Sequence, residues 1–366
     1  MPRRFSFLGR DLAVDFGTSR LRVCVPGEGV VFDVPSAVAY DTRSGRILAF
    51  GEDALRMRGR TPPSVETVHP IKEGAVAEFE IARWLLGQGL AAVCGASRLS
   101  RPRVVLCAPQ GATDVTRRAL ADTCLQGGAR DVQLVDSAMA AALGAGLPVQ
   151  EPHGTMLVDV GAGSTDVAVI ALSEVVHQRS TRVAGHTFDT AIIDHFRHEH
   201  CLGLSRSAAE DLKIRIGSAL HAPAGPQGPE ETEEPPAPLP DRFPVHGRHL
   251  RTGLPTSAQV SPEEIVSAVE RPLRTLVDAV SQALDACPPE LSQDLADRGI
   301  ALTGNGALLH GLQDELRRAT GIPVHLVENP GGATARGAGL YAAAYQATRR
   351  SRAQSEQVRV PANVAT

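Results

Sequence analysis

The sequence predicts an α/β fold built from two related halves, and three observations support this prediction. Short apolar runs rich in β-branched residues alternate with longer stretches in which apolar residues have helical spacing. One strand–turn–strand pattern occurs twice, around Asp15 and again 144 residues later around Asp159. The chain of 366 residues is long enough for about 2.4 domains of ordinary size.

The alternating runs predict the secondary structure in chain order. Strands are predicted at Leu12–Asp15, Leu21–Val25, Val104–Ala108, Val132–Val135, Thr155–Asp159, Val167–Ala171, Ile300–Thr303 and Val324–Val327. Helices are predicted at Asp114–Gln126, Ala138–Leu147, Thr187–Cys201, Pro262–Ala286 and Ala307–Thr320. Within Thr187–Cys201 the apolar residues fall on one helical face, which predicts that this face is buried.

Composition and charge exclude several classes of protein. With 43% apolar and 21% charged residues, the chain has an ordinary globular balance. Its longest uncharged apolar run, Ala138–Val149, is too short to span a bilayer. Six scattered cysteines without a CxxC pair predict reduced thiols rather than disulfides or a zinc site. The net charge of −4 lies in residues 221–240, and the rest has no excess of basic residues, so we expect no nucleic-acid partner.

The repeated pattern carries the chemistry of two glycine turns. The first glycine turn, residues 15–20, reads Asp-Phe-Gly-Thr-Ser-Arg, and the second, residues 159–166, reads Asp-Val-Gly-Ala-Gly-Ser-Thr-Asp. Glycine allows a tight turn whose backbone N–H groups approach a phosphate, and the hydroxyl side chains add donors. A carboxylate at the strand end can hold a hydrated Mg²⁺. A plain hairpin would explain either turn alone, but its recurrence favours phosphate binding.

A third glycine turn, residues 304–307, follows an apolar strand and precedes a predicted helix. Backbone without side chains suits the close approach of a base or ribose, with the helix N-terminus facing the ligand. Many strand-to-helix turns look like this, so the third turn gains its meaning from its position after the other two.

Taken together, Asp-x-Gly-Thr, Asp-x-Gly-x-Gly-Ser-Thr and Thr-Gly-x-Gly-Ala resemble the motif order of the actin, sugar-kinase and heat-shock-chaperone ATPase superfamily. Within it, residues 8–345 are similar to the MreB-type bacterial actins, most specifically at Glu28–Ala39 and Pro70–Gly74. The resemblance implies an actin-like fold of two lobes, each with a core and a small subdomain, that hold ATP and Mg²⁺ between them.

The resemblance also implies the residues that contact the nucleotide. Those matching cofactor-binding positions are Thr18, Ser19, Arg20, Gly161, Ala162, Gly163, Ser164, Glu210, Lys213, Gly304, Asn305, Gly306 and Ala307. Asp15 and Asp159 match the aspartates that hold Mg²⁺ through water.

The implied division of the chain has five parts. The lobe I core takes residues 1–32, 80–148 and 328–346, and its small subdomain takes 33–79. The lobe II core takes residues 149–190 and 260–327, and its small subdomain takes 191–259. The last part, 347–366, is predicted to be a flexible tail because apolar periodicity ends near Tyr345.

Departures from the family pattern lie at the site itself. Ser137 occupies the place of the glutamate that orients the attacking water, and the adjacent Asp136 would point elsewhere on an unchanged backbone. Losing a positioned general base costs about 10²–10⁴ in rate, so we expect weakened ATP hydrolysis unless other substitutions compensate. Ala162, Arg20, Asn305 and His186 also depart from the family pattern, and Arg20 could either reach or obstruct a phosphate.

Three further segments each have a functional and a simpler interpretation. Met1–Arg10 is basic and aromatic, which suits an anionic membrane surface, although it could be only a frayed terminus. The Pro- and Glu-rich segment 221–240 could recruit a partner or be a tolerated loop insertion. His195 and His198 lie three residues apart on a helix, where exposed histidines are a simpler explanation than a metal site.

The resulting hypothesis is a bacterial cytoskeletal protein that binds ATP and forms or modulates filaments for cell shape and wall synthesis. Its implied partners are further copies of itself, an MreB paralogue, the cell-wall synthesis machinery and the inner face of the cytoplasmic membrane. A small-molecule kinase of the same superfamily is the main alternative. A chaperone ATPase is the other, although it would need a C-terminal peptide-binding domain for which the sequence has no segment.

Overall fold

The computed structural model describes residues 11–95, 101–109, 111–220 and 242–357, with side chains up to residue 349. The chain forms two compact units. The first unit runs to Pro148 and resumes at Gly332, and the second unit is Val149–Gly331. The finer subdomain limits stay a prediction. Met1–Arg10 and residues 221–240 lie outside the described residues.

The described secondary structure alternates throughout the chain. The strands are β1 (Asp11–Phe16), β2 (Arg20–Val25), β3 (Gly29–Pro35), β4 (Val38–Asp41), β5 (Ile47–Phe50), β6 (Val65–Val68), β7 (Ile71–Lys72), β8 (Ala75–Val76), β9 (Arg103–Ala108), β10 (Asp131–Asp136), β11 (Thr155–Val160), β12 (Thr165–Ala171), β13 (Glu174–Thr181), β14 (Leu202–Gly203), β15 (Phe243–His249), β16 (Pro255–Val260), β17 (Ile300–Thr303) and β18 (Val324–Leu326). The α-helices are α1 (Glu52–Met57), α2 (Phe79–Cys94), α3 (Asp114–Gln126), α4 (Ser137–Gly144), α5 (Gly185–Glu199), α6 (Arg206–Ile216), α7 (Pro262–Asp285), α8 (Pro289–Arg298), α9 (Leu312–Thr320) and α10 (Ala333–Gln357).

The main sheets of the two units have the same topology. In the first unit the order is β3-β2-β1-β9-β10, and in the second it is β13-β12-β11-β17-β18. In each sheet three antiparallel strands joined by hairpins are followed by two strands parallel to the first. This common order confirms the two related halves that the repeated turn predicts.

The repeated turns have the same backbone hydrogen bond. Gly17 N donates to Arg20 O at 2.9 Å, and Gly161 N donates to Ser164 O at 2.9 Å. These four residues keep the same spacing of 144 as Asp15 and Asp159. The N–H of each glycine is donated to a carbonyl oxygen of its own turn. A phosphate at either turn would therefore accept hydrogen bonds from the residues that follow the glycine.

The main sheet of the first unit packs against helices on both faces, and the two faces differ in side-chain size. In the first unit, Leu12 and Leu106 face a cluster that includes Leu85 of α2. The opposite face carries small residues such as Ala13, which pack against alanines of α4 and α10. In the second unit a single core joins the sheet to α5, α6, α7 and α9. The turns at the strand ends are therefore held by buried strands.

Two predicted elements differ from the structure. The helix predicted at Ala307–Thr320 is wrong at its start: a 3₁₀ turn covers Asn305–Leu308, and α9 begins only at Leu312 after Gly311 adopts a φ of 74°. Residues 347–357, which belong to the predicted tail, are helical, because α10 continues to Gln357. Apolar spacing detects a buried face, and among the residues of α10 with described side chains the last buried one is Ala342. None of the described helices is both long and apolar enough to cross a membrane.

Candidate functional site

The second glycine turn begins at the carboxyl end of β11. Asp159 is the penultimate residue of this strand and pairs in parallel register with Thr303 of β17. Thr303 is fully buried, and its hydroxyl donates to Val158 O at 3.5 Å. Because parallel strands bring their carboxyl ends to one edge, the turn after β11 and the turn after β17 are neighbours.

The N-terminus of α5 packs directly on the second glycine turn. Gly185 N donates to Gly161 O at 3.1 Å, and His186 N donates to Ala162 O at 2.8 Å. A methyl group on Gly185 would lie 3.4 Å from Gly161 O, 3.5 Å from the Ala162 Cα and 3.7 Å from the Lys213 Nζ. The turn, the helix start and the lysine ammonium therefore surround one point.

Lys213 reaches this point from α6 and is held there by two acceptors. Its Nζ lies 2.6 Å from Asp189 Oδ1 and donates to Gly185 O at 3.2 Å. Asp189 has no exposed side-chain surface, so burial raises the pKa of its carboxyl, while Lys213 acts in the opposite direction. Glu210, one turn earlier on α6, is exposed. The structure thus places Lys213 in contact with this cluster.

The third glycine turn packs on the end of β11. Gly304 has a φ of 85°, and a methyl group on it would collide with Val160 O and lie 2.5 Å from Asp159 Oδ1. A methyl group on Gly306 would lie 2.9 Å from Val160 O and 3.2 Å from Gly161 O. These contacts require glycine at both positions. They bring the second and third turns together within the second unit.

Asn305, in the third turn, has its side chain against the backbone of Gly331, where a methyl group would overlap the Asn305 Oδ1. Ala307 is buried, and its N–H donates to Gly304 O at 3.2 Å. The added side chain of Asn305 is therefore accommodated by a glycine 26 residues later, a relationship that no motif in the sequence indicates.

Asp166 ends the second glycine turn as a buried carboxylate. The Ser164 Oγ donates to Asp166 Oδ2 at 3.2 Å. Burial raises the pKa of Asp166 more than its hydrogen bonds with Ser180 and Ser164 lower it. The hydroxyl of Ser164, a predicted phosphate donor, is therefore engaged by Asp166.

The first glycine turn joins a row of alternating charges in the first unit. Asp15 Oδ2 lies 3.7 Å from the Arg22 Nη1, and Asp33 contacts both Arg22, at 3.2 Å, and Arg20, at 2.6 Å. Burial raises the pKa of Asp15; Arg22 lowers it and Asp33 raises it further. Arg20 thus directs its guanidinium to Asp33. Thr18 is buried, and Ser19 O accepts from Ser36 N at 2.8 Å.

Asp136 and Ser137 lie at the same sheet edge as Asp15. Asp136 ends β10, and Ser137 begins α4. Since β9 separates β10 from β1, the two strand ends are about 10 Å apart at ordinary strand spacing. The Asp136 Oδ1 accepts from the Arg117 Nη1 at 2.8 Å. Because the Asp136 carboxylate is bound by Arg117, it is directed away from the role of the missing glutamate.

Sequence reasoning missed four contributors: Asp189, Gly185, Arg22 and Asp166. A detectable signal existed for Asp189, because a carboxylate on the apolar face of α5 requires a buried partner. Lys213, one of only two lysines in the chain, is that partner.

The chemistry of the cluster suits a polyphosphate and its metal ion. Lys213 and the start of α5 supply positive potential beside a turn where backbone approaches closely. Asp15 and Asp159 are strand-end carboxylates, the oxygen donors that Mg²⁺ prefers. A nearby divalent cation would also stabilise the ionised form of Asp15, which burial disfavours.

Comparison with known proteins identifies the family. Residues 9–350 match the family described as "MreB/Mbl protein". The chain is 41% identical over 345 residues to the cell shape-determining protein MreB of Escherichia coli strain K12, covering 93% of this chain and 95% of that protein. It is 35% identical over 331 residues to the cell shape-determining protein Mbl of Bacillus subtilis strain 168, covering 90% and 95%.

Solved structures agree in fold. The chain is similar to MreB5 of Spiroplasma citri bound to ADP, with a TM-score of 0.84, 28% identity and coverage of 94% of this chain and 99% of that one. The same protein bound to AMPPNP gives a TM-score of 0.84 at 28% identity, over 94% and 98% of the two chains. The MamK double helical filament matches in fold, with a TM-score of 0.70 at 22% identity over 91% and 98%. The chain has the actin-like fold and belongs to the MreB/Mbl family.

Proposed function

We propose that this chain binds ATP with Mg²⁺, assembles with further copies of itself and contributes to cell shape. The observation that carries the proposal is the cluster of the second turn, the third turn, the start of α5 and Lys213 within the second unit. Support comes from relatives named as cell shape-determining proteins and from the ADP- and AMPPNP-bound forms of MreB5.

The proposed nucleotide contacts follow from the positions of the turns. The residues that follow Gly161 in the second turn, Ala162 and Gly163, and the equivalent Thr18 and Ser19 of the first turn, would donate to phosphate oxygens. Lys213 would balance phosphate charge, and residues 304–307 would lie against the nucleoside. Mg²⁺, held through water by Asp15 and Asp159, would supply charge neutralisation for the phosphates.

We further propose that this chain hydrolyses ATP slowly. A serine hydroxyl is a poor base at neutral pH and is shorter than the glutamate that the family has at position 137. The neighbouring Asp136 is bound to Arg117, which supports the proposal that no carboxylate replaces that glutamate. Slow hydrolysis would prolong the ATP-bound state and hence any polymer that depends on it.

The proposed location and partners rest on sequence and family. Met1–Arg10 would contact the inner face of the cytoplasmic membrane, and the cell-wall synthesis machinery or an MreB paralogue would be its protein partners. Membership of the MreB/Mbl family favours this function over a small-molecule kinase.

The test is sedimentation of the purified full chain with ATP, ADP or no nucleotide, followed by electron microscopy of the pellets. We expect filaments that pellet with ATP and much less without it. The Gly304→Val variant, whose side chain would collide with Val160 O, serves as the nucleotide-binding control and should stay in the supernatant. Equal pelleting of both chains in all three conditions would contradict nucleotide-dependent assembly.

A further inference from the structure

Three side chains with metal-binding atoms meet where α5 ends and α7 begins. They are His195 near the end of α5, His200 directly after it, and Glu264 in the first turn of α7. His200 Nε2 lies 2.9 Å from Glu264 Oε2, and His195 Nε2 lies 3.8 Å from the same oxygen. One ligand atom from each of the three lies within 4.8 Å of the others.

Helix capping explains part of this arrangement. Glu264 Oε1 accepts from Ser261 N at 3.4 Å, which completes a capping box at the start of α7. His200 at the end of α5 hydrogen-bonds the other oxygen, and the carboxylate of Glu264 interacts favourably with the dipole at the start of α7. A capping interaction therefore accounts for Glu264 and His200.

Capping does not account for His195. Its Nε2 is buried and has no hydrogen-bond partner in the described part of the chain, yet it is directed toward the Glu264 carboxylate. A buried ring nitrogen without a partner costs free energy. A cation shared by the three side chains would satisfy this nitrogen, together with the carboxylate and the second imidazole.

We propose that His195, His200 and Glu264 form a binding site for a divalent cation of the zinc class. The ligands would be the His195 Nε2, the His200 Nε2 and the Glu264 Oε2, with water completing a tetrahedron. Two imidazoles and one carboxylate are a set that zinc binds with three protein ligands and an open position. Zinc–ligand bonds of about 2.0–2.2 Å place tetrahedral ligands about 3.4 Å apart, so the observed separations need only small side-chain movements.

The site lies where the chain enters and leaves the segment 201–260. His200 directly precedes this segment, which begins just before β14, and Glu264 follows β16 after a short capping turn. The two ligands are 64 residues apart in sequence. A bound cation would therefore tie the end of α5 to the start of α7 and restrain β14 and β16, which adjoin them. This inference stands apart from the nucleotide proposal, because it involves none of the glycine turns.

The neighbouring histidine provides a matched control. His198 lies on the same helix, is exposed, and directs its Nδ1 to the Asp194 carbonyl oxygen at 2.7 Å. In the sequence His195 and His198 lie three residues apart on one helix, whereas the structure brings His195 together with His200. The two interpretations therefore predict different effects of substitution.

The experiment uses the full chain without an affinity tag, treated with a chelator, dialysed and titrated with Zn²⁺ against a chromophoric chelator. We expect one equivalent to bind, and Co²⁺ to give the intense visible absorption of a tetrahedral site. The variants His195→Gln and His200→Gln should each weaken binding at least about tenfold. The variant His198→Gln should bind as the unchanged chain does.

Circular dichroism of each variant establishes that it is folded. The variant Glu264→Gln removes the third proposed ligand and should independently weaken zinc binding. Failure of the folded, unchanged chain to bind one equivalent of Zn²⁺ would overturn the proposal. The proposal would also be overturned if the His195→Gln and His200→Gln variants bound Zn²⁺ as tightly as the unchanged chain does, or if only His198→Gln lost binding.

Discussion

The ammonium of Lys213 lies 2.6 Å from the carboxylate of Asp189, whose side chain has no exposed surface. Lys213 belongs to α6 and Asp189 to α5, so the pair joins the two helices beside the second glycine turn. Burial raises the pKa of Asp189, and Lys213, together with Arg206 to a smaller degree, acts against this shift. The ion pair thus links α5 to α6, and Lys213 is its positively charged member beside the second glycine turn.

We expect the variant Lys213→Met to lower the free energy of unfolding by about 3–5 kcal/mol, because it leaves a buried carboxylate without its partner. Chemical denaturation followed by circular dichroism measures the change. The double variant Lys213→Met/Asp189→Leu should recover most of this loss. Arg274→Met, which breaks the exposed pair with Glu270 on α7, should cost less than about 0.5 kcal/mol. A loss at Lys213 as small as that at Arg274 would show that the buried pair is not needed.

Substitution of two glycines with positive φ, Gly304 in the third glycine turn and Gly253, is expected to lower the free energy of unfolding by different amounts. Gly304→Ala would collide with Val160 O, whereas Gly253→Ala, in the turn between β15 and β16, would meet nothing within 4 Å. In both variants alanine must adopt a positive φ, which lowers the free energy of unfolding by about 1–2 kcal/mol. The Gly304 variant should lose more free energy of unfolding than this, and its nucleotide affinity should fall at least about tenfold. Equal effects at the two positions would contradict the close packing of the third turn on β11.

Hydrolysis is predicted to respond to a carboxylate at position 137. We expect Ser137→Glu to raise the rate of phosphate release by about 10²-fold, because it restores a general base at the start of α4. Ser137→Gln has nearly the same shape but no basic group, so its rate should stay at that of the unchanged chain. Phosphate release under saturating ATP measures both. If the glutamine variant matched the glutamate variant, or if neither exceeded the unchanged chain, slow hydrolysis would not be due to Ser137.

Because Asp166 is buried, we expect the free energy of unfolding to depend on pH. Because burial raises its pKa above the ordinary value of 3.8, the folded chain retains a proton that the unfolded chain has already lost. The group therefore stabilises the fold at and below pH 3.8, and this contribution is lost as the pH rises through the raised pKa. Asparagine does not ionise, so the Asp166→Asn variant does not lose stability in this way as the pH rises. We therefore expect its free energy of unfolding, measured relative to that of the unchanged chain, to increase from pH 4 to pH 7.

Denaturant unfolding at several pH values measures this trend. The control is Asp297→Asn on α8, where the replaced carboxylate is exposed and accepts from Gln293. Its difference from the unchanged chain measures the effect of replacing an exposed carboxylate, and this effect is subtracted from the trend found for Asp166→Asn. A difference for Asp166→Asn that is constant, or that shrinks toward pH 7, would contradict the buried-carboxylate interpretation.

Much of the fold was predictable because its strands are buried and end in glycine turns. The hairpins that contain Asp15 and Asp159 were detected for this reason, and their repeat predicted the common sheet topology. The start of α9 was not predicted, because helical spacing alone does not show that Gly311 interrupts the run.

The sequence could predict only those site residues that belong to a motif of neighbouring positions in the chain. Gly161 and Gly304 were identified from their own neighbours, whereas the contact between Lys213 and Asp189 joins residues 24 positions apart on two helices. The pairing of Arg20 and Arg22 with Asp33 depends likewise on the register of β2 and β3. Such contacts arise from tertiary packing, which no single segment of sequence contains.

Equilibrium titration of the full chain with ATP in the presence of Mg²⁺ measures nucleotide binding itself. We expect saturable binding of one ATP per chain, weakened when Mg²⁺ is removed and weakened further in the Gly304→Ala variant. Absence of saturable binding to the folded, unchanged chain, or equal affinity in the Gly304→Ala variant, would contradict it.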